Sequence, residues 1–159
     1  MGLAMKSTQK RGTKLRVRRG RRTDFTLVMN LLAASEVAIP PPDRATLRRF
    51  RNIVADLGAD FYLALVDETL AGLVHVTYAR QLTTGPRARL DQLVVAQAFR
   101  RRGVGSALLA FAQGRARKRG CTSFCCPLLP TNPAARSFLE TAGFGVKGEW
   151  FIRSLQEES

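Results

Sequence analysis

Between Arg89 and Leu128 the chain reads strand, glycine-rich turn, amphipathic helix, strand, and no other stretch limits the fold so tightly. "RLDQLVV" (Arg89–Val95) is rich in strand formers. After "FRRRGVG", the apolar residues Val104, Ala107, Leu108, Phe111 and Ala112 fall at i, i+3, i+4, i+7 and i+8. That spacing predicts a helix over Gly103–Arg119. Gly120 stops it, and Arg115, Arg117, Lys118 and Arg119 suit its negative end. "CTSFCCPL" (Cys121–Leu128) is the next strand. A further helix starts at Asn132, an N-cap, with Pro133 in the first helical position. Its stripe is Ala135, Phe138, Leu139 and Ala142, and Gly143 ends it. "VKGEWFIRSL" (Val146–Leu155) reads as a closing strand. Strands alternating with helices argue for an α/β sheet.

The first half is built differently. "KLRVRRGR" (Lys14–Arg21) alternates weakly as a first strand. Asp24 is the expected N-cap of a helix over Phe25–Ser35. "IPPPD" breaks the chain before a second helix at Arg44–Leu57, closed by Gly58. "FYLALVD" (Phe61–Asp67), a turn at "ETLAG" and "LVHVTYAR" (Leu73–Arg80) read as a hairpin.

Arg100, Arg101 and Arg102 stack positive charge on the positive end of a helix, where cations are unfavourable. The arrangement makes sense if an anion completes it. The first N–H groups of a helix lack internal partners, and Gly103 and Gly105 let a phosphate approach the backbone. The plainer alternative is a solvated basic turn. The Walker pattern GxxxxGK[ST] is absent, and a dinucleotide motif requires glycine where Leu108 stands.

The net charge of +14 is uneven: residues 1–22 hold nine Lys or Arg and no acid. Residues 1–13 read as a basic, disordered arm, and 14–155 as one domain. The arm lacks interleaved aromatics, so a solvated tail is favoured over a nucleic-acid contact. No apolar run reaches the roughly 18 residues of a membrane helix, and "MGLAMKSTQKRG" has no secretory apolar core. Lys6 stands where a myristoylation signal needs Ser or Thr. Cys121, Cys125 and Cys126 match no zinc spacing, so no metal is expected, and they read as reduced thiols of a cytoplasmic protein.

Arg100-Arg101-Arg102-Gly103-Val104-Gly105 after a strand resembles the Q/R-x-x-G-x-G/A signature of the GNAT N-acetyltransferase superfamily. Asn132, Ala135, Phe138, Gly143 and Phe144 resemble its second motif, N-x-x-A-x-x-F-Y-x-x-x-G-F. The likeness is good over roughly residues 60–155. It implies a mixed, mostly antiparallel sheet of six to seven strands, with helices on both faces. It also implies a splayed parallel pair, Leu90–Val95 and Cys121–Pro127, holding acetyl-CoA. The implied cofactor contacts are the backbone of Leu93, Val94 and Val95, the loop from Arg100 through Arg101, Arg102, Gly103, Val104, Gly105 and Ser106, and also Asn132 and Phe138. A capping role explains Asn132 equally well.

The implied chemistry is direct attack of an amine on the thioester, with a base to take the proton. Asp91 is the first candidate base and His75 the second. Each has a structural alternative, a surface ion pair for Asp91 and a half-buried strand position for His75. Leu139 stands where the family often has a proton-donating Tyr. Tyr78, Ser137 and Cys126 are the substitutes, and the sequence does not choose among them. A net-basic surface disfavours polycationic acceptors unless Asp60, Asp67 and Glu68 line the acceptor cleft. The partner implied is a small-molecule or peptide amine, with no membrane; a homodimer is compatible. Two other readings stand beside it, a basic nucleic-acid-associated protein and a non-catalytic acyl-CoA-binding module.

Overall fold

The computed structural model describes residues 14–35, 38–128 and 131–156. The basic arm expected at residues 1–13 lies outside them. Five strands form one sheet: β1 (Leu15–Arg19), β2 (Ala59–Val66), β3 (Thr69–Ala79), β4 (Arg87–Val95) and β5 (Ser123–Cys125). They lie side by side in chain order. β1 to β4 are antiparallel, and β4 and β5 run parallel. Helices α1 (Phe25–Ala33), α2 (Arg44–Ala55), α3 (Val104–Lys118) and α4 (Pro133–Thr141) complete the fold.

Apolar residues divide over two faces, as strand alternation requires. Val28, Leu31 and Leu32 of α1 and Phe50 and Val54 of α2 pack on Phe61, Leu63, Leu65 and Leu73. On the other face, Val104, Leu108, Leu109, Ala112 and Ala116 of α3 meet Ala64, Val66, Val74, Val76, Ala88 and Leu90, joined by Phe138 of α4. Helices therefore cover both faces.

The hairpin is tighter than its composition suggests. Asp67 and Glu68 both have positive φ, +47° and +66°, forming a two-residue turn between Val66 and Thr69. A turn of that hand matches the strand twist, so "TLAG" joins β3. Asp24 precedes α1, but its carboxylate caps nothing there. Arg18 donates to both its oxygens, at 2.8 and 2.9 Å, and the Arg21 N–H donates at 2.7 Å. A bidentate guanidinium outcompetes a cap.

The sheet has five strands among the described residues, short of six or seven, because 146–155 do not join it. Val146, Phe151, Ile152 and Leu155 are 75–92% exposed. β5 is only three residues long and ends before Pro127, which lacks an N–H. It offers too short an edge to pair ten more residues, and Gly145 and Gly148 weaken the segment as a strand. Trp150 instead lies under the Arg89 guanidinium, 5.1 Å from ring centroid to charge.

Candidate active site

β4 is bent by one extra residue. His75 faces Gln92 while Val76 faces Leu90, so Asp91 has no partner on β3. Such a bulge kinks its strand and increases its twist. β5 pairs with Arg87, Ala88 and Arg89 and no further. Past the bulge, the edge of β4 turned toward β5 is therefore unpaired among the described residues. Leu93 and Val95 are half-buried toward α3, and Val94 is buried against the opposite core.

The loop after β4 is preorganised. The Arg100 Nε donates to the Val95 carbonyl at 3.4 Å, tying the loop to the strand end. Arg101 and Gly103 are left-handed, with φ +59° and +78°. Alternation of left- and right-handed residues turns successive N–H groups inward. From Arg101 to Ser106 these groups have no partner among the described residues. The first helical bond comes from Ala107 to the Gly103 carbonyl, at 3.0 Å. Arg101 and Arg102 are exposed, and the Arg102 guanidinium lies 5.6 Å from the Phe99 ring. No acid among the described residues pairs with them, so positive charge, open N–H groups and helix dipole converge on one spot.

Beside this loop a cleft of about 200 Å³ runs between α3 and α4, lined by Ser106, Leu109, Gln113, Phe138 and Thr141. Val104, at the start of α3, is buried in the core against the sheet. A Cβ at Gly105 would stand 3.4 Å from Val95 and 3.7 Å from Phe138, ordinary contacts, so glycine there keeps the surface low. Asn132 caps α4, its Oδ1 accepting the Ala135 N–H at 3.0 Å. Its amide NH2 remains free to donate to a ligand.

On the face of β4 turned toward α1 and α2, Asp91 accepts the Thr77 hydroxyl at 2.5 Å and pairs with the Arg89 Nε at 2.9 Å. Thr77 and Arg89 lie across from each other on β3 and β4. Arg89, two residues away on the same strand, makes the ion pair expected as the structural alternative for Asp91, whereas only the strand register brings Thr77 to it. His75 is largely buried and packs on Phe61, 5.5 Å between centroids. Burial lowers its pKa against the pull of Asp91 and Asp56, so it is neutral at neutral pH.

Tyr78 is elsewhere. Its hydroxyl donates to the Asp60 Oδ2 at 2.5 Å. Burial first, then that hydrogen bond, raises its pKa further above the ordinary value. Its proton is committed to Asp60, which removes Tyr78 as a donor to a leaving thiolate. Asp60 itself is 1% exposed and held by Arg115 and Arg119 at 3.2 and 3.0 Å, with Arg19 at 3.6 Å. It therefore lines no acceptor cleft. Glu68 is taken by Arg16 at 2.8 Å, at the hairpin turn beside Asp67. Leu139 is buried in α4, and Ser137 is exposed. Cys126 is half-buried, and burial, with Cys125 and Asp91 adding to it, raises its thiol pKa.

A family model described as the acetyltransferase (GNAT) family matches residues 25–144. An aminoglycoside N(6')-acetyltransferase type 1 from Klebsiella aerogenes is 42% identical over 67 residues, 42% of this chain. The match covers 44% of that enzyme, less than half its length. Among solved structures, a transcriptional regulator from Bacillus halodurans C-125 superposes with a TM-score of 0.80 at 25% identity, over 89% of this chain and 100% of that one. The aminoglycoside acetyltransferase AAC(6')-Iy, in complex with the bisubstrate analogue CoA-S-monomethyl-acetylneamine, superposes with a TM-score of 0.77 at 19% identity, over 91% and 99%. The latter likeness is one of fold.

Proposed function

The chain belongs to the acetyltransferase (GNAT) family, and from that membership we propose that it moves an acetyl group from acetyl-CoA to a primary amine by direct attack. The observation that carries the reading is the unpartnered run of N–H groups from Arg101 to Ser106, beside a strand edge that opens at the Asp91 bulge. The residues fit the donor at each part. Val104, Gly105 and Ser106 offer the N–H groups for its pyrophosphate, with Arg101 and Arg102 adding charge. The open β4 edge from Leu93 to Val95 suits an amide-bearing arm, and one of its N–H groups can polarise a carbonyl. Phe138 and Ser106 line the cleft between α3 and α4, and Asn132 at the start of α4 offers its amide. Bound acetyl-CoA supplies the activated thioester.

Asp91 takes the proton of the incoming amine, directly or through one water. Its carboxylate is oriented by Thr77 and reaches solvent, and each oxygen keeps a free lone pair. His75, neutral and adjacent, is the second base. No dedicated donor is needed for the departing thiol, whose pKa of about 8.5 makes it a passable leaving group at neutral pH.

The acceptor is an amine of low positive charge. Asp24, Asp60, Glu68, Asp91 and Glu140 are each paired with at least one arginine. Among the described residues no cluster of open carboxylates awaits a polycation such as the aminoglycosides of the relatives. A cytoplasmic location suits both the cofactor and three free thiols. No described helix is long and apolar enough to cross a membrane.

The test is release of CoA thiol from acetyl-CoA across a panel of amines, with acetyl transfer confirmed by mass spectrometry. Wild-type turnover must depend on the amine. Asp91→Asn is expected to lower kcat about 100-fold or more with little change in KM for acetyl-CoA. An unchanged kcat moves the base to His75, tested by His75→Gln. Binding of acetyl-CoA without turnover on any amine would leave a binding module in place of an enzyme.

A further inference from the structure

The geometry points to a second anion-binding surface, a groove on α2 that takes the phosphodiester backbone of a nucleic acid. Arg44, Arg48 and Arg51 stand at i, i+4 and i+7 on one side of α2. Thr46, Phe50 and Val54 are buried on the opposite side. Arg22, from a single 3-10 turn over Arg22–Asp24, faces the same groove, which encloses about 530 Å³ together with Leu47 and Asn52.

Two observations mark these four arginines. The first is that they gather in one groove without a partner, whereas other unpartnered arginines, Arg101 and Arg102 among them, lie outside it. Arg16, Arg18, Arg19, Arg89, Arg115, Arg119 and Arg136 all engage carboxylates. Arg22, Arg44, Arg48 and Arg51 make no hydrogen bond or ion pair among the described residues, though they converge on one concavity. The nearby acids are committed, Asp24 to Arg18 and Asp43 to the Thr46 N–H at 2.8 Å. The second is that α2 carries Arg44 in its first turn and no acid within its length. A cation there works against the helix dipole and against its neighbours. Self-repulsion of this kind is relieved by an external polyanion.

The chemistry favours a nucleic-acid backbone over a lipid surface. The apolar face of α2 is spent on the core, leaving nothing to insert into a bilayer. Guanidinium forks suit phosphate oxygens. From Arg44 to Arg51 the row is about 10 Å long, about three phosphates along one strand. No exposed aromatic lines the groove, so bases are not stacked and binding is independent of sequence. The 3-10 turn follows β1, the sheet edge opposite β5, so the groove is separate from the loop at Arg101–Ser106.

Fluorescence anisotropy with a labelled 20-base-pair DNA duplex of arbitrary sequence tests this, using the full chain at 50–200 mM salt. Arg44→Glu/Arg48→Glu/Arg51→Glu is compared with a charge-matched control, Arg80→Glu/Arg117→Glu/Arg153→Glu. Circular dichroism and acetyl-CoA titration verify that each is folded. Wild type and control are expected to bind alike, on a second duplex sequence too. The groove variant loses at least tenfold in affinity at 50 mM salt, and its slope of log K against log salt falls by about 2 to 3. Absence of wild-type binding at 50 mM salt overturns the proposal. So does equal weakening of groove variant and control, or binding to anionic lipid vesicles in preference to the duplex.

Discussion

Replacing Gly103 and Gly105 together with aspartate is expected to weaken acetyl-CoA binding by at least about 100-fold. The backbone has room for both side chains. A Cβ at Gly103 meets nothing within 4 Å, and one at Gly105 meets only ordinary contacts. The left-handed φ of +78° at Gly103 is a conformation Asp tolerates better than most residues. Carboxylates at a helix N-terminus also favour the helix, so the fold is expected to persist. What changes is the sign of the charge facing the pyrophosphate. At about 5 Å and an effective dielectric of 20, each new charge pair costs about 3 kcal/mol. Isothermal titration calorimetry on both proteins, with a thermal melt of each, decides the matter. A folded variant that binds as tightly as wild type would remove the loop from the site.

Asp60→Ala is expected to cost about 3 kcal/mol of stability, the largest loss from any single truncation outside the apolar core. Asp60 accepts from Tyr78, Arg115 and Arg119, with Arg19 adjacent, and so ties β1, β2, β3 and α3 together. Removing it leaves three guanidinium groups facing one another. The arginine side chains are about a third exposed and recover some hydration, which places the effect at the low end for a broken buried pair. Burial raises the Asp60 pKa, yet the hydrogen bonds from Tyr78, Arg115 and Arg119 outweigh it and hold the carboxyl below its usual value. Its stabilisation is therefore complete above the unfolded pKa, about pH 4, and is lost as pH falls through the folded value. Urea denaturation at pH 7 and pH 3 measures both effects. The wild type is expected to lose more stability between them than Asp60→Asn. A change under 1 kcal/mol in Asp60→Ala would show the cluster to be a solvated surface network.

Much of the frame was legible locally. α3 and α4 follow from apolar spacing, the Asn132-Pro133 start and the Gly120 and Gly143 stops. The loop proposed to hold the cofactor is marked in the sequence by two glycines behind three arginines. The positive φ of the two-residue turn at Asp67 and Glu68 leaves no mark in the sequence, because neither residue is glycine. Residues 146–155 read as a strand by composition, and composition does not show that β5 ends after three residues. Tyr78 looked available as a proton donor for the same reason: its partner, Asp60, is 18 residues away.

Helix positions, the anion-attracting turn and the basic character of α2 are properties of residues within one or two helical turns of each other, so the chain's order alone dictates them. The bulge at Asp91, its bond from Thr77, and the choice of Asp60 as the sink for three arginines depend on which strands lie side by side and in what register. Register is a collective outcome of packing across the whole sheet, and shifting it by one residue exchanges the faces. That is why the open edge of β4, on which the proposed chemistry rests, is visible only in the folded molecule.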